Sequence, residues 1–282
     1  MMSYQPQMMF TLWDVEHGLA IWIKTPAGHN HWIDAGYNST TDFSPARHVR
    51  QYYGEQALDY LIISHPDADH INGLPDDIRN LGRPRVLHRN QTLPETEKFG
   101  TGLLDYQRVF RSLDQDYSET IPWEADPCNP AFNGGITVHV SSLGYHAVSN
   151  LNDTSLVAFY LYAGFLFVCP GDITPAGWNV LWLQNAVTFS NFARSAVRVL
   201  VAPHHGRGSC YCQEMMDAIA PHLVLISDKY GQEPTDPRFR TCPSGVRVDG
   251  ELIRFISTKT SGRVQTGVNA DGSWWLDRGE FT

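Results

Sequence analysis

The densest group of side chains able to bind a metal lies in residues 65–70. Two histidines and two aspartates fall in this segment, separated only by Pro66 and Ala68. It directly follows residues 58–63, an apolar run typical of a buried strand, so its side chains can turn inward at the strand end. Imidazole and carboxylate groups are ligands of divalent transition metals. A polar surface loop would explain this pattern less well, because such loops rarely place two histidines and two aspartates beside a buried strand. The pattern therefore predicts metal ligands at His65, Asp67, Asp69 and His70.

Two further motifs also follow apolar runs. Gly171-Asp172 comes after residues 165–169, and Pro203-His204-His205-Gly206 comes after residues 197–201. Each has an ordinary explanation alone, because Gly-Asp is a common turn and paired histidines can pack or cap a helix. Together they suggest side chains that converge from strand ends on one cleft. A bound metal would offset the repulsion between so many packed ionisable groups.

Composition excludes several classes of protein. The chain has 282 residues, of which 42% are hydrophobic and 18% charged, so it is neither disordered nor fibrous. Five cysteines are too few, and odd in number, for a disulfide scaffold, and they indicate a reducing compartment. A formal net charge of −9 excludes a globally basic surface for nucleic acid.

The order of the patterns predicts an α+β fold. Strand-like segments dominate both ends and alternate with helical segments in between, with no Pro/Gly/Ser-rich linker. We expect a single domain over residues 1–282, built as a four-layer αββα sandwich with two sheets inside and helices outside. Residues 89–130 are predicted to be an insertion over one face. The longest apolar run, residues 156–169, is too short to span a membrane, and no secretory signal is evident, which predicts a cytoplasmic protein.

The motif His65-x-Asp67-x-Asp69-His70 resembles the metal motif HxHxDH of the metallo-β-lactamase superfamily, with Asp67 in place of the second histidine. That replacement resembles the metallo-β-lactamase domain of ComEC-type competence proteins. Further segments of that family have similar counterparts here, in the same order, over roughly residues 9–227. They are DVEHGLA (residues 14–20), IDAG (33–36), NDTSLV (152–157), GDI (171–173) and PHHG (203–206).

The resemblance implies the αββα sandwich and two divalent metal ions. His65, Asp67 and His204 would hold one ion. Asp69 and His70 would hold the other, and Asp172 would bridge the two. The resemblance also implies supporting roles: Asp34 would buttress the metal loop, and Asn152 and Ser155 would lie near the pocket. Carboxylate ligands favour manganese, whereas zinc is the usual metal of the superfamily.

The chain also departs from the family. Glu16 and His17 replace a Gly-Gln pair, Arg207 and Gly208 replace Ser-Lys, and residues 228–234 lack a histidine that the family has there. In two-metal phosphoryl chemistry, His205 is expected either to protonate the leaving oxygen or to hold a phosphate oxygen. Arg207 and Lys229 are expected to contact phosphate. The sequence has no counterpart of the membrane channel of competence proteins, so the resemblance does not imply a role in DNA uptake.

The activity expected from these residues is metal-dependent hydrolysis, most simply by a phosphodiesterase or nuclease acting on DNA, RNA or a nucleotide through a metal-activated water. Asp69, Asp172 and His205 are the expected catalytic residues. The acidic charge suits a nucleotide or a short single strand better than a long duplex. Two alternatives remain open: hydrolysis of a small ester, thioester or lactam, and a non-catalytic role. In the latter, a protein partner would bind the insertion with Trp123 or the aromatic tail with Trp274 and Trp275.

Overall fold

Two large β-sheets form the centre of the protein, seen here in a computed structural model that describes residues 7–229 and 231–279. In chain order the strands are β1 (Gln7–Leu12), β2 (Ile21–Lys24), β3 (Asn30–Ile33), β4 (Tyr60–Ile62), β5 (Val86–His88), β6 (Thr137–Ser141), β7 (Val157–Tyr162), β8 (Phe165–Cys169), β9 (Val197–Val201), β10 (Leu223–Ile226), β11 (Val246–Val248), β12 (Glu251–Ile253), β13 (Phe255–Ser257), β14 (Arg263–Asn269) and β15 (Trp274–Gly279). The first sheet has seven strands in the order β15-β14-β1-β2-β3-β4-β5. The second has six in the order β13-β10-β9-β8-β7-β6, and β11 pairs with β12 in a separate hairpin.

The inner faces of the two sheets pack on each other. Alternate residues of β1, Met8, Phe10 and Leu12, are fully buried and point toward the second sheet. There the ring of Phe10 stacks on Phe167 of β8 with centroids 4.1 Å apart. Burying one such side chain contributes roughly 1.5–3 kcal/mol, so this apolar layer is the main force that holds the sheets together.

Helices cover both outer faces. In chain order they are α1 (Pro45–Tyr53), α2 (Ala68–Ile71), α3 (Leu74–Leu81), α4 (Glu95–Phe99), α5 (Asp105–Asp116), α6 (Pro175–Phe192), α7 (Gln213–Ile219), α8 (Arg238–Thr241) and α9 (Thr258–Ser261). Buried residues of α1, α3 and α5 pack on the outer face of the first sheet around Trp22 and Trp32. Those of α6 and α7 pack on the outer face of the second. The α+β prediction is confirmed: two sheets lie inside and helices cover both outer faces, which is the expected four-layer αββα sandwich. None of the helices in the described residues combines the length and the apolar character needed to cross a bilayer.

Local signals explain where several elements begin and end. The Oγ of Ser44 accepts a hydrogen bond from the amide of Arg47, Pro45 occupies the first turn of α1, and Gly54 ends the helix in a left-handed conformation. The apolar pattern at residues 252–257 predicts one strand, and this is wrong. The chain forms β12 in the hairpin and then β13, which runs parallel to β10 at the edge of the second sheet.

Residues 89–130 contain α4 and α5. Phe99, Phe110 and Leu113 from this segment are buried in the outer layer of the first sheet, whereas Trp123 is 56% exposed. The segment therefore contributes apolar side chains to the helical layer. Its status as an insertion stays a prediction.

Parallel strand pairs bring several strand ends to one edge of the sandwich. In the first sheet β3 runs parallel to β4, and in the second β8, β9 and β10 are parallel neighbours. Asp34 follows β3, His65 follows β4 closely, and Asp172 follows β8. The same edge receives His204 after β9, so the connections after four strands can meet in space.

Candidate metal centre

The carboxylate of Asp172 lies at the centre of a group of histidines. Its Oδ2 is 3.6 Å from Nε2 of His65 and 3.7 Å from Nε2 of His204. Its Oδ1 is 3.4 Å from Nε2 of His70. The two oxygens of one carboxylate therefore face different imidazoles, as those of a carboxylate that bridges two cations would.

The remaining ligand candidates extend this group on both sides. Oδ2 of Asp67 is 3.5 Å from Nε2 of His65, and Oδ2 of Asp69 is 3.2 Å from Nε2 of His205. His17 also contacts this carboxylate, with Nε2 3.6 Å from the same Oδ2 of Asp69. Two ligands bound at about 2.0–2.1 Å to a tetrahedral ion lie roughly 3.3–3.5 Å apart, so the separations of Asp67 from His65 and of Asp69 from His205 fit pairs of ligands around shared cations.

Buried ring nitrogens without partners indicate what the group binds. Within the described residues, Nε2 of His65, His70 and His205 is buried and makes no hydrogen bond. Nδ1 of His70 donates to Oδ2 of Asp34 at 2.7 Å, and Nδ1 of His205 donates to the carbonyl oxygen of Ser227 at 3.1 Å. In the neutral form of each ring, these acceptors leave a lone pair on Nε2 of His70 and His205, which is the tautomer of a metal-bound histidine. The residues present therefore fit divalent cations.

The electrostatic environment of His70 and Asp172 also fits a bound cation. Burial alone would lower the pKa of the His70 imidazole, but the carboxylates of Asp172 and Asp34 outweigh it and raise that pKa to about 10. Burial raises the pKa of Asp172, while His70 and His65 outweigh that effect and lower it. The buried carboxylates thus require positive charge beside them. A divalent ion would supply that charge and release the proton from the imidazole.

Strained backbone places the two adjacent histidines. His204 and His205 have φ values of 48° and 55°, and Gly206 continues the left-handed run with φ 78°. Such conformations cost on the order of 1–3 kcal/mol for residues other than glycine and concentrate at functional sites. Here they aim neighbouring side chains at different carboxylates, His204 at Asp172 and His205 at Asp69.

Hydrogen bonds hold the ligand loops in place. Asp34 accepts from the amide and the hydroxyl of Ser64 at 2.7 and 2.6 Å, in addition to the bond from His70. Ser155 is fully buried, and its Oγ accepts from the amide of Asp172 at 3.1 Å. Both residues therefore support the ligands from behind and do not line an open pocket.

Other residues singled out in the sequence occupy varied positions. Arg207 is only 4% exposed, and its guanidinium faces neighbouring protein groups instead of solvent. Lys229 is more accessible, with Nζ 3.9 Å from Oε2 of Glu16. Asn152 contacts Asn150 and Ser155 through its backbone. No hydrogen bond joins the side chain of Asn152 to a ligand candidate within residues 7–229 and 231–279.

His17 lies in the site, although the sequence patterns do not predict a role for it. Its ring lies 4.3 Å from that of His205 between centroids. Burial, with His205 adding to it and Asp69 opposing, lowers the pKa of His17 to about 4. A signal was present in the sequence, because Glu16-His17 replaces the Gly-Gln pair of the related segment. Nothing local shows that a residue near the start of the chain would reach Asp69.

Two cysteines near the site act as structural groups. Cys210 is buried, with Sγ 3.3 Å from Nδ1 of His204, and burial raises its thiol pKa to about 12. Sγ of Cys212 accepts from the amide of Met215 at the start of α7. The pair thus supports His204 and begins a helix.

Comparison with known proteins yields similarity in overall structure only. No protein-family model matches the chain, and no curated protein matches it either. One similar solved structure is a mutant of the CmlA beta-hydroxylase, with 17% identity over 80% of this chain and 47% of that chain and a TM-score of 0.40. Another is a long form of RNase Z from yeast, with 12% identity over 92% of this chain and 42% of that chain and a TM-score of 0.46. The chain spans less than half of either structure, and similarities this low carry no argument about its activity.

Proposed function

We propose that this chain, an αββα sandwich whose motifs resemble those of the metallo-β-lactamase superfamily, is a dinuclear metal hydrolase that cleaves phosphodiester bonds in DNA, RNA or a nucleotide. The observation that carries the proposal is the position of Asp172, whose Oδ2 faces His65 and His204 while Oδ1 faces His70. A carboxylate placed in this way would hold two cations close together. Two such cations clamp the attacking and leaving oxygens of an in-line phosphoryl displacement.

The distances suggest which residues would hold each ion. His205 joins the ligands because its Nε2 faces Asp69 and its Nδ1 is occupied by the carbonyl of Ser227. This role replaces the acid or phosphate-binding role expected from the sequence. The first set is His65, Asp67, His204 and Oδ2 of Asp172; the second is Asp69, His70, His205 and Oδ1 of Asp172. With three carboxylates among seven residues, the ligands suit manganese as well as zinc.

Bound divalent ions would supply Lewis-acid polarisation of a phosphoryl oxygen and lower the pKa of a water molecule toward neutrality. The chain itself holds the ligands and leaves one side open. His65, His70 and Asp172 are buried at the back of the group. Asp67 and His204 are 62% and 32% exposed at the front, where a substrate can approach.

The net charge of the chain and the exposure of the site indicate which substrates fit. The net charge of −9 opposes tight, sequence-independent binding of a long duplex. Lys229, whose side chain is 36% exposed beside Glu16, would remain available as the phosphate contact expected from the sequence. A nucleotide or a short single strand is therefore the better match.

The test combines metal content with hydrolysis. Elemental analysis of protein purified without chelator should find about two equivalents of manganese or zinc. The loaded protein should hydrolyse bis-p-nitrophenyl phosphate, and Asp172→Asn should abolish this while Asp217→Asn, an exposed carboxylate on α7, should not. Absence of metal after addition of both ions would contradict the proposal. Cleavage of a chromogenic lactam or thioester without cleavage of the diester would favour the small-ester alternative, and metal binding without any hydrolysis would favour a non-catalytic role.

A further inference from the structure

His17 is fixed beside the metal centre by backbone contacts. The next residue, Gly18, has no room for a side chain, because a Cβ there would lie 2.6 Å from the carbonyl oxygen of Asp69. The carbonyl of Gly18 accepts from Oγ of Ser227 at 2.6 Å, and the amide of Leu19 faces the carbonyl of Asp69 at 3.3 Å. The segment that carries His17 therefore rests directly on the ligand loop and on the end of β10.

A guanidinium group occupies the other side of the His17 ring. Nη2 of Arg207 lies 3.2 Å from Nδ1 of His17. Arg207 also donates to the carbonyl oxygen of Glu233 and lies 3.8 Å from the fully buried carboxylate of Asp228. Asp228 is in turn 3.0 Å from Nζ of Lys259. These contacts fix the guanidinium in the interior, so its direction toward His17 is set by the fold.

This contact decides which ring nitrogen carries the proton. Arginine has hydrogen-bond donors and no acceptor, so Nδ1 of His17 must accept from Arg207. The hydrogen of the neutral ring then resides on Nε2, the atom that faces Asp69 at 3.6 Å. The neutral rings of His70 and His205 have the opposite arrangement, because acceptors at their Nδ1 leave a lone pair on Nε2. A nitrogen that carries a hydrogen cannot bind a metal.

We propose that His17 is a fixed hydrogen-bond donor at the metal centre and not a metal ligand, although its Nε2 lies among the ligand atoms. The structure places this N–H at the partly exposed side of Asp69, where both side chains are 27% exposed. An oxygen of a bound phosphoryl group is the acceptor that suits this position. This role rests on the proposed function. The protonated position and the absence of ligation follow from the contact with Arg207 alone.

The first measurement uses the metal-free protein. Imidazole nitrogen chemical shifts distinguish a protonated Nε2 from a protonated Nδ1, and the signals of His17 are assigned by their loss in His17→Gln. We expect the Nε2–H form for His17. The Nδ1–H form would overturn the proposal whether or not the protein is an enzyme.

The second measurement is metal content. His17→Leu and His17→Gln should keep the metal content of the unmodified protein, whereas His205→Gln should lose part of it. His146→Leu, at an exposed histidine, controls for loss of an imidazole as such. If both His17 variants lose as much metal as His205→Gln, then His17 is a ligand and the proposal is wrong.

The third measurement separates a donor from a packing residue. For phosphodiester hydrolysis, kcat/KM of His17→Leu should fall about tenfold to a hundredfold, the usual effect of losing a hydrogen bond to a charged group. His17→Gln, whose side-chain amide retains a donor, should recover part of that loss. Equal losses in the two variants would overturn the donor role. If the unmodified protein cleaves no phosphodiester, the proposed function fails, but the nitrogen shifts and metal contents still test the inference.

Discussion

Nδ1 of His70 donates a hydrogen bond to Oδ2 of Asp34 at 2.7 Å, although the two residues are 36 positions apart, and both side chains are fully buried. The bond fixes the tautomer and the orientation of the ring, which directs Nε2 toward Asp172. Asp34 thereby positions the candidate ligand His70 without being one of the proposed ligands.

Asp34→Asn should weaken metal binding while preserving the fold. Asparagine has the same shape and tolerates the left-handed backbone at this position, where φ is 59°. It removes the charged acceptor that holds His70, and loss of such a partner lowers metal affinity about 10- to 100-fold. Competition with a chelating dye measures this. Asp42→Asn, at an exposed aspartate with φ 57°, is the matched control, and equal affinities in both variants would contradict the role of Asp34.

Removal of metal should lower thermal stability. A ligand that binds only the folded state stabilises it by about 2.7 kcal/mol at a concentration one hundred times its Kd. Adding a chelator should therefore lower the Tm in a thermal scan, and manganese or zinc should restore it. The Tm of Asp172→Asn should respond much less to chelator. A Tm of the unmodified protein that does not change with chelator or metal would argue against a bound metal.

Asp67→His should shift the metal preference toward zinc. The substitution restores the second histidine of the HxHxDH motif and replaces an oxygen ligand with a nitrogen ligand, which suits zinc better than manganese. The Asp67 side chain is 62% exposed, so the larger ring should fit at little cost in packing. Loading from an equimolar mixture of both metals, followed by elemental analysis, measures the ratio. An unchanged zinc-to-manganese ratio would show that Asp67 is not a ligand.

Gly171→Ala should disturb the position of Asp172. A Cβ at this left-handed glycine, with φ 58°, would lie 3.0 Å from the Cβ atoms of both Ser155 and Ser64. Gly250→Ala is the matched control, since that glycine has φ 87° and no atom within 4 Å of the added Cβ. Both variants should lose about 1–2 kcal/mol from backbone strain, as measured by urea unfolding. Only Gly171→Ala should also lose metal affinity, and a loss of affinity in both or in neither would contradict the expectation.

Acid should destabilise the protein partly through His31. Complete burial between the sheets lowers the pKa of His31 to about 3, well below its ordinary value of 6.5. Between these two pH values, the His31 ring therefore binds a proton in the unfolded chain but not in the folded chain. The free energy of unfolding falls as the pH drops from 6.5 toward 3, by about 1.4 kcal/mol per pH unit from this group. Above pH 6.5 the group has no effect on the pH dependence.

His31→Gln should reduce this slope, as measured by chemical denaturation between pH 6 and pH 4 (roughly the middle of the window set by the two pKa values). His146→Gln, at an exposed histidine, should leave the slope unchanged. Identical slopes for His31→Gln and the unmodified protein would show that His31 does not make this contribution.

Much of the fold could be predicted from the sequence because its signals are local. The helical pattern of residues 45–53 predicts a helix with the bounds of α1, and a capping serine, a proline and a terminal glycine all lie within residues 44–54. The prediction of one strand over residues 252–257 was wrong because β12 and β13 are adjacent in the sequence and resemble one apolar segment. Their partners belong to different sheets, and pairing between distant strands leaves no trace in local periodicity.

The sequence by itself determined which metal-binding side-chain types are present and which strand ends carry them, because the motifs of residues 65–70 and 203–206 are short and closely follow apolar strands. Only the tertiary structure decided how these groups face one another. Arg207, which the sequence predicted to contact phosphate, is instead buried. Its guanidinium contacts His17, which is 190 residues away in the chain. Such a contact depends on how the two sheets pack, and packing sums many long-range interactions that no single segment contains.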